Sequence, residues 1–215
     1  MLLEQKRCKE LLLQYGFDLP QQYVFKNYSE LKGHGHVLKK IKFPVALKVD
    51  SQNIIHKSDK GYVIIDIKDK KELKNKTKEL KDRLQRNNIE EYHFLIQEMI
   101  MGTEFIIGMK RDEIFGPVIL FGVGGIFVEV LKDISLRIAP LNKRDCKAMI
   151  NEIKSKKIIE GYRSYPKIPE NLLINILMKI SEMVIKEKDI EEIDFNPVIA
   201  NEQQAKVVDA RIIMK

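Results

Sequence analysis

The chain has 215 residues, 44% of them hydrophobic, and a formal net charge of +7. That length suits one large domain or two small ones, and no run approaches the ~18 consecutive apolar residues of a membrane span. The positive balance is not a nucleic-acid signature, because lysines alternate with glutamates, as in KDKKELKNKTKELKDRLQR, and Trp is absent. Neither nucleic acid nor membrane is expected as a partner.

In chain order, residues 3–15 predict a helix with Leu3, Leu11, Leu12 and Tyr15 broadly on one side and Gly16 as its stop. The opening MLLEQKRCKELLL lacks the apolar core and cleavage site of a secretory signal. Cys8 and Cys146 fall at apolar helical positions. Two such cysteines support neither a disulfide framework nor a zinc site, so buried thiols and a cytoplasmic location are expected. Residues 22–26 predict a short strand, and 29–41 a helix weakened by Gly33 and Gly35. A strand follows at 43–49, with Pro44 tolerated near its start. A polar loop over 50–61 leads to a strand at 62–67.

Asp69 and Glu72 have capping-box spacing. The helix they open carries Leu73, Thr77, Leu80 and Leu84 in one row. Residues 92–99 predict a strand, and 104–110 with 115–121 a hairpin around Arg111-Asp112-Glu113. Helices are predicted at 142–155 and 170–187, and strands at 190–195 and 206–213, the former ended by Pro197. Interleaved helices, strands and hairpins give an α+β (mixed α/β) class, not a purely parallel doubly wound sheet.

Several constellations suggest chemistry. Gly122, Gly124 and Gly125 stand between an apolar run and a segment carrying Glu129, Asp133 and Arg137. Glycines there permit positive φ and close backbone approach, a plausible design for an anion or phosphoryl group. In VALKV, Val45, Leu47 and Val49 suit a core, so Lys48 points the other way. Such a lysine is either solvated or a point charge for a nucleotide phosphate. In IIHKSDKG, His56 is flanked by Lys57 and Asp59. A loop histidine is usually bland, but this setting also suits a nucleophile or proton carrier. Across residues 96–100, IQEMI, strand-end backbone groups suit an adenine edge while Met99 and Ile100 pack its face; Glu104 follows. Asp194 and Asn196, in EIDFNP, share a face if the strand runs through both. Both offer hard oxygens suited to Mg²⁺; an Asn-Pro turn is the bland alternative. Asp209, in VVDARI, is either a partner for Arg211 or another cation, or the polar face of an edge strand.

Taken together, these pieces resemble a family. KELLLQYGFDLP, FPVALKV with IIHKSDKG, the long block IQEMIMGTEFIIGMKRDEIFGPVILFGVGGIFVEVLKDISLRIAPL, GYR, EIDFNPV and VVDARI occur in the order of the ADP-forming acyl-CoA synthetase (acetate–CoA ligase) beta subunits. The resemblance implies an ATP-grasp fold of two α+β subdomains clamping a nucleotide, with 23–101 the smaller subdomain and 1–22 with 102–215 the larger. It implies conversion of acyl-CoA, ADP and phosphate to acid, CoA and ATP through acyl phosphate and phosphohistidine. By resemblance, Lys48 contacts ATP or ADP phosphates. Gln97, Glu98, Met99 and Ile100 form the adenine-side connector, and Glu104 lies close by. Asp194 and Asn196 hold Mg²⁺, and His56 carries the phosphoryl group. Gly122, Gly124 and Gly125 with Glu129 and Arg137 meet that group or the partner loop bearing it.

Two positions depart from the family pattern. Tyr62 stands where a second glycine is common after the HKSD motif, and Ser164 where Gly often follows GYR. No G-x-G-x-x-G follows a strand, so no CoA-binding Rossmann unit is visible. A separate CoA-binding alpha subunit carrying a phosphohistidine is therefore expected, with an alpha2beta2 heterotetramer implied by the resemblance. Acyl-CoA, acid and phosphate would be handled by the complex. The alternatives are another ATP-grasp ligase or a nucleotide-sensing regulatory module.

Overall fold

The structure, a computed structural model, describes residues 1–33, 41–51, 61–125, 131–163 and 166–215. The chain divides into two compact units, Pro20–Met99 and Met1–Leu19 with Ile100–Lys215. In chain order the elements are α1 (Gln5–Gln14), β1 (Gln22–Phe25), α2 (Tyr28–Gly33), β2 (Val45–Asp50), β3 (Val63–Ile67), α3 (Lys70–Arg86), β4 (His93–Glu98), β5 (Thr103–Asp112) and β6 (Gly116–Val123). They continue as β7 (Ile134–Ile138), α4 (Lys143–Glu152), α5 (Lys156–Glu160), α6 (Glu170–Lys186), β8 (Ile190–Ala200), β9 (Ala205–Val207) and β10 (Ala210–Met214). Among the described residues no helix is long and apolar enough to cross a membrane.

The smaller unit is a four-stranded antiparallel sheet in the order β1-β4-β2-β3. Leu73, Thr77, Leu80 and Leu84 of α3 are all buried, as their spacing predicts, in a core with Val45, Leu47, Val49, Phe94 and Ile96. The buried Thr77 hydroxyl donates to the Leu73 carbonyl at 2.7 Å, which removes its desolvation cost. Asp69 caps α3 by accepting from the Glu72 N–H. The Glu72 carboxylate returns to the N–H of Lys68, one residue outside the usual capping-box partner. The strand expected from residue 43 begins at Val45, since Pro44 has no N–H to give the ladder. The helix expected over 29–41 spans Tyr28–Gly33; residues 34–40 of that expectation lie outside the described residues.

The larger unit is a six-stranded antiparallel sheet, β10-β8-β5-β6-β7, with β9 beside β8. One face buries Phe105, Ile107, Met109, Ile119, Phe121, Ile193 and Phe195 against α1, α4 and α6. The hairpin forms as predicted, with Asp112 opposite Gly116.

Three expectations are corrected. Pro197 does not end its strand: Ile106 of β5 alone faces Asn196 and Pro197 of β8, a bulge that absorbs the missing donor, and pairing resumes at Val198. The helix expected over 142–155 stops at Glu152, where Ile153 takes extended backbone, and a separate short helix opens only at Lys156. The strand expected over 206–213 divides into β9 and β10. Strand β7 is not among the predicted elements; its residues ISLRI alternate, but with Ser135 and Arg137 turned inward and the aliphatic ones exposed.

Candidate functional site

In the smaller unit, Lys48 sits on central strand β2, half-buried, while Val45, Leu47 and Val49 are no more than 1% exposed. Its alternation is therefore as the sequence predicts. At the end of β4, Gln97 is buried and its amide donates to the Gln22 side chain at 3.4 Å. Glu98 is bound to Gln21 twice: its carboxylate accepts from the Gln21 N–H at 3.1 Å, and its own N–H donates to the Gln21 carbonyl at 2.8 Å. The Met99 sulfur accepts from the N–H of Asp66 at 3.0 Å. Asp66 takes a positive φ of 60° at a bulge between β2 and β3. Ile100, the first residue of the next stretch, is 7% exposed.

His56, with Lys57 and Asp59, lies outside the described residues. The chain just after that loop is anchored. Tyr62 is buried, and its hydroxyl accepts from the Asn87 amide at 3.0 Å. The Gly61 carbonyl accepts from Arg83 at 2.6 Å. Tyr62, the departure from the family glycine, thus ties the loop's exit to the C-terminal end of α3.

In the larger unit the three glycines play different parts. Gly122 lies in the β6 ladder opposite Ile106 and Ile134. The N–H of Gly124 donates to the Glu104 carbonyl at 2.7 Å, so it is already spent. Gly125 has a φ of 64°, and among the described residues nothing lies within 4 Å of where a Cβ would sit. The cluster is therefore a close backbone crossing followed by a left-handed residue, rather than three free donors. Glu104 itself is exposed; Glu129 lies outside the described residues.

Asp194 and Asn196 share the sheet face away from the helices, as the alternation of β8 requires. Asp194 stands opposite Gly108 of β5 and Arg211 of β10. Burial, the carboxylates of Asp209 and Glu192, in that order, push its carboxyl above the usual range; Arg211 opposes them. The Asp209 carbonyl also accepts from the Asn196 N–H at 3.1 Å. Asp209 is thus a neighbour that sequence reasoning undervalued; its one signal was being the lone acid of an apolar run.

The donor set fits Mg²⁺. It offers hard oxygens, and its crowded carboxylates carry charge that a divalent cation would offset. Among the described residues no three His, Cys, Asp or Glu side chains converge, so protein groups alone do not enclose an ion. That too suits Mg²⁺, which keeps several waters and phosphate ligands.

Arg137 is not brought together with Asp194. It lies on the other face of the sheet, where its Nη1 donates to the Glu152 carboxylate at 2.9 Å and to the Leu136 carbonyl at 2.7 Å. Among the described residues its Nε and Nη2 make no hydrogen bond.

Residues 1–214 match a family model described as an ATP-grasp domain. The chain is 39% identical to the beta subunit of acetate–CoA ligase (ADP-forming) I of Pyrococcus furiosus, over 99% of this chain and 91% of that one. It is 40% identical to the acetate–CoA ligase (ADP-forming) of Methanocaldococcus jannaschii, over 96% of this chain but 30% of that longer protein. The dinucleotide-forming acetyl-coenzyme A synthetase 1 of Ca. Korarchaeum cryptofilum, bound to coenzyme A and Ca-AMPCP, superposes with a TM-score of 0.92 at 34% identity, covering all of this chain and 93% of that one. The same synthetase with Mg-AMPPCP has a TM-score of 0.82 at 33% identity over the same shares, and its phosphohistidine segment points towards the nucleotide-binding site. The present chain belongs to the ATP-grasp family, among the beta subunits of the ADP-forming acetate–CoA ligases.

Proposed function

We propose that this chain is the nucleotide-binding beta subunit of an ADP-forming acyl-CoA synthetase. It exchanges a phosphoryl group between ADP/ATP and a phosphohistidine while acyl-CoA, ADP and phosphate become acid, CoA and ATP. The observation that carries this reading is the likeness to a named beta subunit over 99% of the chain.

Phosphoryl transfer is chiefly positioning and charge neutralisation, and the residues supply both. Lys48 places a cation on the nucleotide phosphates. The backbone of Gln97 to Ile100 takes the adenine edge, and Glu104 stands near it. Asp194 and Asn196 hold Mg²⁺, which supplies positive charge to the phosphate oxygens when bound. His56 acts through an unprotonated ring nitrogen, which attacks phosphorus as the P–N bond to the partner's histidine breaks. The departing imidazole keeps that electron pair. The terminal oxygen of ADP then displaces the His56 nitrogen in the same sense. Arg137, whose Nε and Nη2 make no hydrogen bond among the described residues, meets the incoming loop from the edge of the sheet, a role shared with Gly122, Gly124, Gly125 and Glu129.

The acid and CoA are handled by a separate alpha subunit, two of each chain forming the heterotetramer. The test mixes this chain with CoA-binding subunits and follows ATP formation from acetyl-CoA, ADP and phosphate. Turnover is expected with the cognate subunit and with neither chain alone. Tight MgATP binding with no turnover in any pairing would overturn the reading in favour of a nucleotide sensor.

A further inference from the structure

Strand β7 is inverted. Its side chains towards α4 are polar: Ser135 is 3% exposed, and its hydroxyl donates to the Glu152 carboxylate at 2.5 Å, the same carboxylate that pairs with Arg137. Just before the strand, Asp133 is buried and accepts from the N–H groups of Lys154 and Ser155, each at 2.7 Å. The opposite row is aliphatic and open, with Ile134, Leu136 and Ile138 at 36%, 49% and 50% exposure.

A one-residue slip would bury the aliphatic row and expose the polar one. The hydrogen bonds to the end of α4 prevent that slip. Edge strands normally carry charges or Pro on their open side to discourage association. This row carries none. On neighbouring β6, half-buried Val118 and Leu120 stand opposite Ile138 and Leu136 and widen the apolar strip. A contiguous charge-free strip of this kind has the composition of an interface core.

The register places the strip relative to the rest of the face. Leu136 pairs with Leu120, Leu120 with Gly108, and Gly108 with Asp194. Cross-strand partners share a face. Three strand spacings of ~4.8 Å therefore separate the strip from Asp194 by about 14 Å.

We infer that this strip on β7 and β6 seats the CoA-binding partner subunit, so that its phosphohistidine segment starts about three strands from Asp194. The inference rests on the function proposed above. Two observations favour this occupant over a second copy of the chain. The longer M. jannaschii relative matches this chain over only 30% of its length, so a large additional body accompanies the matching part. The strip also runs into the face that bears the Mg²⁺ donors, and in the Korarchaeum synthetase a phosphohistidine segment points towards the nucleotide site. A second copy has no reason to be seated there.

The test uses the full chain and the CoA-binding subunit that supports turnover with it. Leu136→Glu and, separately, Ile138→Lys are each expected to weaken association at least tenfold. Ile65→Glu, on the exposed face of β3 in the smaller unit, should leave association within twofold. MgATP affinity and melting temperature of the isolated variants should match wild type, since the changed side chains are exposed. Hydrogen exchange over 131–140, already slowed at the amides paired with β6, should slow further on adding the partner. Wild-type association by both β7 variants would overturn the docking site while leaving the function intact. So would exchange over 131–140 that the partner leaves unchanged, or a homodimer that Leu136→Glu dissolves. A wild-type chain that joins no CoA-binding subunit would instead overturn the function itself.

Discussion

The N–H of Gly124 donates to the carbonyl of Glu104 at 2.7 Å, and a Cβ added to Gly124 would stand 3.2 Å from the Glu104 Cβ. The two backbones are therefore closer than most side-chain-bearing residues would allow. Gly124→Ala is expected to shift Glu104 by a few tenths of an ångström, at a cost of about 1 kcal/mol in stability. MgADP affinity should fall severalfold by titration calorimetry. An unchanged affinity would remove Glu104 from the nucleotide site.

Asp194 and His56 should fail differently. Asp194→Ala is expected to weaken nucleotide binding only when Mg²⁺ is present, leaving metal-free binding near wild type. His56→Ala should abolish turnover of the complex while MgATP binds the chain normally. Binding curves with and without Mg²⁺, beside a turnover assay, separate the two. Turnover retained in His56→Ala ends the relay role for that residue.

Asp133 gives a pH prediction. Burial alone would raise its pKa, but the Ser155 hydroxyl and the Lys154 and Ser155 N–H groups together hold it below 3.8. A depressed carboxylate stabilises the fold above the unfolded value and loses that contribution as pH falls through the folded value. Asp133→Asn should therefore cost about 2 kcal/mol at pH 7. The gap between variant and wild type should narrow below the unfolded value of 3.8. Chemical denaturation at neutral and acid pH checks it, and a gap that widens in acid would contradict the assigned bonds.

The cysteines should be inert in the native protein. Cys8 and Cys146 are at most 3% exposed, and burial first, with Asp209 and Asp145 respectively adding to it, pushes both thiols up to about 11. A thiol reagent at pH 7.5 should label neither in the folded chain and both after denaturation. Rapid labelling of either would place it at the surface.

Tyr62→Gly, which restores the common family residue, should remove the bond to Asn87 and a buried ring. We expect a loss of about 3 kcal/mol in the smaller unit's stability and faster hydrogen exchange just after the His56 loop. Unaltered exchange there would show that Tyr62 does not anchor the loop's exit.

The sequence by itself determined much of this protein. The Leu73–Leu84 row named its buried face, and the Val45–Val49 alternation separated Lys48 from the core. The hairpin turn and the shared face of Asp194 and Asn196 were also legible, because local periodicity encodes them directly. Long-range pairing was not. Strand β8 continues past Pro197 because its ladder with β5, far away in the chain, resumes around a bulge, and β9 closes a local hairpin beside it. Asp209 joins Asp194 only through the pairing of β10 with β8. On β7 the periodicity was visible, but its sense was not. Hydrophobicity says that Ile134, Leu136 and Ile138 belong inside. Glu152 at the end of α4 instead pairs with Ser135 and Arg137, Lys154 and Ser155 just beyond it satisfy Asp133, and tertiary hydrogen bonding turned the aliphatic row outward.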